Sequence, residues 1–288
     1  MARLREAVAV GADGSAESME AVRWAASEAV SRGAALRVVT GAGRWAATAT
    51  AADGGADSWP QENVRAAARV ASDAWPQLEV REEVVGEGPV KVLLRAAEES
   101  EVLVIGSRAL GAFTGFAVGS VGLSVIAHVR APVVAVRSHD GAESGSAAPV
   151  VVGVDLGHSY DPVLGFAFEA AGRRGTGVRV AHAWNVESLY SYPSALPSPP
   201  VVSKVERRVG QELEEALRPW LRKFPRVPVE RAVAMGGAAP FLLDASTGGS
   251  LLVVGRRLRG HPFPTRIGPV THAALHHAQC PVAVVPHE

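Results

Sequence analysis

Residues 102–120 read Val-Leu-Val-Ile-Gly-Ser-Arg-Ala-Leu-Gly-Ala-Phe-Thr-Gly-Phe-Ala-Val-Gly-Ser, an apolar run of strand length followed by a glycine-spaced loop that closes on Gly119 and Ser120. That order suits a phosphate group. Glycines let backbone N–H groups approach an anion, and a helix starting at Ser120 would add unpaired amides and the positive end of its dipole. Ser107 and Ser120 offer hydroxyl donors, and the amides around Gly106, Ser107, Arg108 and Ala109 and of Gly119, Ser120 and Val121 would share the phosphates. Asp13 follows a first apolar run and Gly41 a second. If the runs are parallel strands, all these residues share one carboxyl-end rim, where open α/β sheets bind ligands. There the Gly41 backbone would meet the edge of an adenine base, and Asp13 would fix base or ribose. The same residues also suit plain turns and helix caps, so their joint order carries the binding reading more than any one of them.

The elements that must position this rim are legible. Met19, Val22, Ala26, Ala29 and Val30 share one face at helical spacing, Ser15 can cap the start, and Gly33 can end the helix at Arg32. Then come a strand at 36–40, a helix at 61–74, a strand at 78–84, a helix at 89–99, the strand at 102–105, a helix at 120–129 and a strand at 133–136. Continuous Val, Ile and Leu runs between helices predict a mostly parallel sheet covered on both faces.

The pattern is written twice. The offset that carries Asp13 to Asp155 also carries Gly33 to Gly175, and Ala131–Val136 is matched by Cys280–Val285. Repeats of about 140 residues mean tandem domains, because solenoid periods are about 20–50 residues. The polar, Gly/Ser-rich stretch 138–149 reads as a tether, which predicts domains at 1–140 and 148–288. In the second copy the equivalent positions are Asp155, Ala183, Gly255, Arg256 and Gly268.

Composition removes other classes. The 288 residues carry 29 basic and 29 acidic side chains, so no summed charge gathers nucleic acid or an anionic membrane. With 48% hydrophobic residues and a mean hydropathy of +0.13 each copy can fill a core, yet no apolar run approaches a membrane span. The single cysteine, Cys280, excludes an internal disulfide and fits a reducing, cytoplasmic setting. There is no Gly-Lys-Ser/Thr phosphate loop, no Gly-x-Gly-x-x-Gly after the first strand and no legible catalytic triad or carboxylate pair.

On these residues the chain resembles the universal stress protein family in its tandem form. The likeness rests on Asp13 after strand one, on Gly106, Gly119 and Ser120, and on the closing Cys-Pro-Val-Ala-Val-Val, and it covers nearly the whole chain. It implies two doubly wound, mostly parallel five-stranded α/β domains with helices on both faces, Rossmann-like and similar to the adenine nucleotide alpha hydrolase fold. It also implies ATP, with or without Mg2+, as ligand, and pairing of the domains through 133–136 and 282–285, a further homodimer being compatible. Ala109 stands at the family's second glycine, costing roughly 1 kcal/mol if that position needs φ > 0. In the second copy Leu258 stands there, and Pro269 replaces the Ser/Thr and its amide. This predicts one nucleotide site in the first copy and a weaker one in the second.

Arg256, Arg257, Arg259, His261 and Arg266 suit side-chain phosphate binding or a solvated basic loop. His272, His276 and Cys280 have helical spacing, but Pro281 ends the helix before a metal site forms, so no metal is expected. The loop from Tyr190 to Pro200 and the Ala/Thr/Gly stretch 46–57 read as connectors. The function implied is an ATP-binding regulatory or stress-response switch without efficient catalysis. The alternatives are a nucleotide-independent scaffold and a slow ATPase or nucleotidyl transferase.

Overall fold

The computed structural model describes residues 7–43, 58–109, 116–137, 148–185, 199–258 and 267–288. The first half of the chain runs β1 (Ala7–Gly11), α1 (Ala16–Arg32), β2 (Ala35–Gly41), α2 (Ser58–Ala74), β3 (Val80–Val85), α3 (Pro89–Glu98), β4 (Val102–Ala109), β5 (Phe116–Ala117), α4 (Ser120–His128) and β6 (Val133–Arg137). The second half runs β7 (Val150–Gly153), α5 (Asp161–Arg174), β8 (Val178–Trp184), α6 (Pro199–Lys223), β9 (Val229–Met235), α7 (Ala238–Ala245), β10 (Leu251–Arg257), α8 (Pro269–His277) and β11 (Val282–His287). The loops expected at 46–57 and from Tyr190 onward lie mainly outside the described residues, as does most of the tether. Among the described residues no helix is long and apolar enough to cross a membrane.

The strand order is β3-β2-β1-β4-β6-β11-β10-β7-β8-β9, with β5 paired to β4 off this path. Along this path every neighbour within a half is parallel, and only the short β5 pairs antiparallel, with β4. The halves join through one antiparallel contact between β6 and β11, with Val282 opposite Ala135, Ala283 opposite Val134 and Val284 opposite Val133. The two expected five-stranded sheets are thus one continuous sheet, joined through the two strands expected to pair. β4 outruns its expected end at residue 105 because it keeps its ladder with β6 as far as Ser107 opposite Arg137, then pairs with β5.

Alternation along the strands separates two cores. Val8, Val10, Val102, Val104 and Val134 pack on the face that carries α1 and α5, whereas Ala9, Leu103, Ile105, Val133 and Ala135 pack on the other. Each core runs across the seam without a break, taking in Val253, Ala283 and Val285 on the first face and Leu252, Val254 and Val282 on the second.

Helix ends explain a difference between the halves. Gly33 and Gly175 both end their helices in the left-handed region, at φ 64° and 66°, yet α1 has 17 residues and α5 only 14. So α5 begins nearly a turn further from its strand. At the start of α1 the Ser15 hydroxyl accepts from the Ser18 amide at 3.2 Å. Ser15→Ala should lower stability by about 1 kcal/mol, read from the urea midpoint.

The seam is pinned by charge on both faces. On the first face the α1 carboxylate of Glu28 accepts hydrogen bonds from Arg32, at 2.7 Å, and from α5 Arg174 at 2.6 Å and Arg173 at 3.3 Å. On the second face Arg137 of β6 donates to the carbonyls of Ala274, at 3.2 Å, Leu275 and Ala278. Arg256 of β10 donates to the carbonyls of Ala127, at 3.0 Å, and Val129. Burial pushes the Arg137 guanidinium down to about 10, so it stays cationic near neutrality. Burial also pushes the Cys280 thiol up to about 11, which leaves it protonated there.

Candidate functional site

Two clefts open at the carboxyl ends of the strands, one in each half. The first encloses about 270 Å³ between the ends of β1 and β4 and the N-termini of α1 and α4. Asp13, Gly106, Gly119, Ser120 and Val121 line it together, as the sequence predicts, and Gly11, Ser15, Glu17, Ser18, Leu93, Ile105 and Gly122 join them. Glu17 and Ser18 escaped the sequence reading because they look like ordinary first-turn residues; only the approach of α1 to Gly106 turns that turn toward the cleft.

The remaining expected residues sit elsewhere. Gly41 is outside the lining, and a Cβ there would stand 2.8 Å from the Glu87 carbonyl oxygen and 2.9 Å from Pro89 Cα, so its glycine serves the close approach of β2 to the turn before α3. Ser107 is fully buried, and its hydroxyl has no partner among the described residues. Strand alternation puts its side chain on the face of Ile105, opposite the α1 face onto which Gly106 opens. Arg108 and Ala109 continue β4 in register with Ala117 and Phe116. No described non-glycine residue has positive φ, so Ala109 carries no left-handed strain.

The floor of the first cleft is the start of α4. Its first helical bond runs from the Leu123 amide to the Gly119 carbonyl at 3.0 Å, and Gly119 supplies no side-chain cap. The amides of Ser120, Val121 and Gly122 therefore precede the helical ladder and need partners from outside the helix. Gly119 itself has φ −57°, and a Cβ there would meet nothing within 4 Å. Neither backbone strain nor internal packing calls for glycine at this point. Above it, Asp13 Oδ1 accepts from the Ser15 amide at 3.0 Å and the Ser15 hydroxyl at 2.5 Å, so this residue shapes its turn and lines the cleft at once. Among the described residues of the lining the charged ones, Asp13 and Glu17, are both acidic.

The second cleft is larger, at about 500 Å³, and takes in Asp155, Ala183, Gly255 and Gly268 of its expected residues. The late start of α5 accounts for the room: a Cβ on Gly106 would strike the α1 backbone at 2.7 Å, whereas one on Gly255 would meet the His287 ring at 2.6 Å. Arg256 is the correction here. It is 2% exposed and grips α4 of the other half, so it is no phosphate ligand, while the next residue, Arg257, does line the cleft. Arg259, His261 and Arg266 lie outside the described residues.

Polar side chains partly replace amides in this cleft. Pro269 removes one amide at the start of α8, and the Thr271 hydroxyl is used internally, donating to the Gly255 carbonyl at 2.8 Å. His158, His182 and His287 line the walls, and none was singled out as a site residue from the sequence, where isolated histidines carry little signal. The His182 Nδ1 lies 2.8 Å from the Val154 carbonyl, which can only accept, so a proton sits on Nδ1. Burial pushes the Asp155 carboxyl up, but the His158 hydrogen bond at 2.8 Å, the Gly157 amide at 3.0 Å and the charges of His158 and His182 together hold it below its ordinary value. Ala181, Ala183, Phe241 and Leu242 form an apolar wall.

The other histidine cluster forms no such cavity. His272 and His276 lie with ring centroids 4.2 Å apart and planes tilted by 31°, and no group of three His, Cys, Asp or Glu side chains among the described residues could hold a metal ion.

The sequence profile of the universal stress protein family matches residues 5–137 and again residues 148–286. A universal stress protein of Mycobacterium tuberculosis is 31% identical over 98% of this chain and 97% of its own. One from Mycolicibacterium smegmatis is 30% identical over 96% of each. Among solved structures, a universal stress protein from Archaeoglobus fulgidus superposes with a TM-score of 0.66 at 18% identity, covering all of both chains.

Proposed function

The chain belongs to the universal stress protein family in tandem form, and from that premise we propose that it is a regulatory switch that binds an adenine nucleotide, ATP in the first instance, in its first cleft. The observation that carries this reading is the glycine at position 119. It opens space in front of three helix-start amides that have no helical partner, where nothing among the described residues asks for it, beside Asp13 on the same rim. Phosphate oxygens would accept from the amides of Ser120, Val121 and Gly122 and from the Ser120 hydroxyl. Asp13 would accept from a ribose hydroxyl or a base amine.

Asp13 and Glu17 would repel a polyphosphate approaching alone. A Mg2+ ion on the phosphates removes that conflict by placing positive charge between them and the two carboxylates, so ATP affinity is expected to depend on Mg2+. In the second cleft a weaker nucleotide site would use Arg257 and the histidines where Pro269 has removed an amide. Neither cleft is proposed to turn nucleotide over efficiently: Asp13 Oδ1 is already engaged twice by Ser15. A ligand that binds only the folded form stabilises it by RT ln(1 + [L]/Kd), which couples nucleotide level to the switch.

Calorimetry and thermal shift with ATP, ADP and AMP, each with and without Mg2+, test the reading. No heat and no shift at millimolar ATP would sink it. Ser120→Pro is the sharper probe. The fold should accept it, because Gly119 has φ −57° and ψ 166°, nearly the −65° and 158° with which Gly268 precedes Pro269. It removes an amide and a hydroxyl from the phosphate cradle, so ATP affinity should fall roughly 10- to 100-fold. Unchanged affinity would move the nucleotide away from α4.

A further inference from the structure

We propose that each cleft is completed from across the seam: Arg256 of the second half is a positioning residue for the first cleft, and Arg137 of the first half for the second. The inference rests on the nucleotide reading above and adds a division of labour to it.

The argument starts from how the helices end. Helices α1 and α5 close with a left-handed glycine whose amide returns to their last carbonyls. Helices α4 and α8 end differently, on Val129 with φ −68°, ψ 151° and on Ala278 with φ −63°, ψ 145°. An extended C-cap leaves the final carbonyls without the usual glycine-cap hydrogen bonds. Here arginines from the opposite half supply donors. Arg256 bonds the Ala127 and Val129 carbonyls, and Arg137 bonds those of Ala274, Leu275 and Ala278. Both guanidinium groups also lie at the negative end of the helix dipole.

The two helices held in this way are the ones whose N-termini floor the clefts. Each has nine residues, a rigid rod of roughly 13 Å, so its far end fixes where its first amides point. Each arginine belongs to a strand beside a cleft, though neither is among the described lining residues. Arg256 follows Gly255, which lines the second cleft, and Arg137 is the register partner of Ser107, which follows Gly106 of the first. β10, whose end lines the second cleft, therefore holds the helix of the first, and β6, which pairs with the cleft strand β4, holds the helix of the second. Ligand in one cleft, by fixing its wall, pre-organises the cradle of the other.

The test uses the 15N-labelled full chain titrated with Mg-ATP, with the amide resonances of Ser120, Val121 and Gly122 reporting the first cleft and those of Val270 and Thr271 the second. Arg256→Gln should weaken binding read at the first set about 5- to 10-fold and leave the second set less affected, with Arg137→Gln giving the reverse. A midpoint at the first set within twofold of the parent, in a folded Arg256→Gln protein, overturns the proposal. If that variant does not fold, Arg256→Lys keeps the charge and some donors and should give an intermediate shift; parent-like binding there overturns the proposal equally. If the parent itself shows no titration, the nucleotide reading fails separately. Positioning is then read without ligand, by hydrogen exchange: Arg256→Lys should speed exchange at residues 123–128 and spare α8, and uniform or unchanged exchange overturns it.

Discussion

Glu28→Gln is expected to destabilise the folded chain by about 3–5 kcal/mol, lowering the melting temperature by roughly 10 °C. Glu28 is 3% exposed and lies among three guanidinium groups, two of them from the other half of the chain. Removing its charge leaves those cations facing one another. Arg32 keeps Glu101 at 2.8 Å and stacks over Phe166, and Arg174 stacks over Trp24, but neither contact replaces the carboxylate at the centre. Burial pushes the Glu28 carboxyl up, yet Arg174, Arg32 and Arg173 outweigh it and hold the group below its ordinary 4.5. A carboxyl depressed in the folded state contributes stability that is present above its unfolded pKa and lost as pH falls through the folded one. The parent protein should therefore lose this contribution in acid below about pH 4.5, whereas the glutamine variant has none to lose. Urea unfolding at pH 7 and in acid measures both, and a loss under 1 kcal/mol at pH 7 would show that the cluster relaxes when its anion goes.

The second large effect comes from a matched pair, Gly106→Ala and Gly255→Ala. The positions are equivalent in the two halves, yet the first should cost about 2–3 kcal/mol and the second under about 0.5 kcal/mol. At Gly106 the new methyl would sit 2.7 Å from the Glu17 carbonyl carbon and oxygen and 2.8 Å from the Ser18 amide nitrogen, all backbone, so α1 itself must move. At Gly255 the obstacle is the end of the His287 ring, which lies in the final strand and can turn aside. Because α1 forms a wall of the first cleft, Gly106→Ala should also weaken ATP binding there, while Gly255→Ala leaves α1 in place. Chemical unfolding and calorimetry on the two variants decide the matter; equal costs would mean that β4 and β10 stand alike to their neighbours.

Much of this architecture can be read in the residues. The doubled Val/Ile/Leu runs, the αL glycines at 33 and 175 and the two apolar closing strands point to parallel sheets paired at their last strands, and the coordinates place them so. In the site, Asp13, Gly106, Gly119 and Ser120 are legible because their order along the rim follows from chain order. Gly41 has a second reason to be glycine that the sequence hides, because one that admits a neighbouring turn looks the same there as one that admits a ligand. Arg256 misleads for a related reason: a basic residue after a strand glycine suits an anion, and only the packing of a helix from the other half shows that its partners are carbonyls. His182 and His287 leave no signal, since each depends on which strand face and which loop length frame the second cleft.

The antiparallel seam has a consequence for how such a chain can change over time. In a dimer of identical domains every substitution appears on both sides of the axis, so a new contact must suit two environments at once. Fusion of the halves releases them from that duplication. Arg256 occupies the place where the first half has the small Ser107, and Arg137 the place where the second has Pro286. Neither arginine has a counterpart to accommodate. One cleft could keep its amides while the other gathered imidazoles, and inheritance in a single chain guarantees that the two specialised halves always meet as a pair.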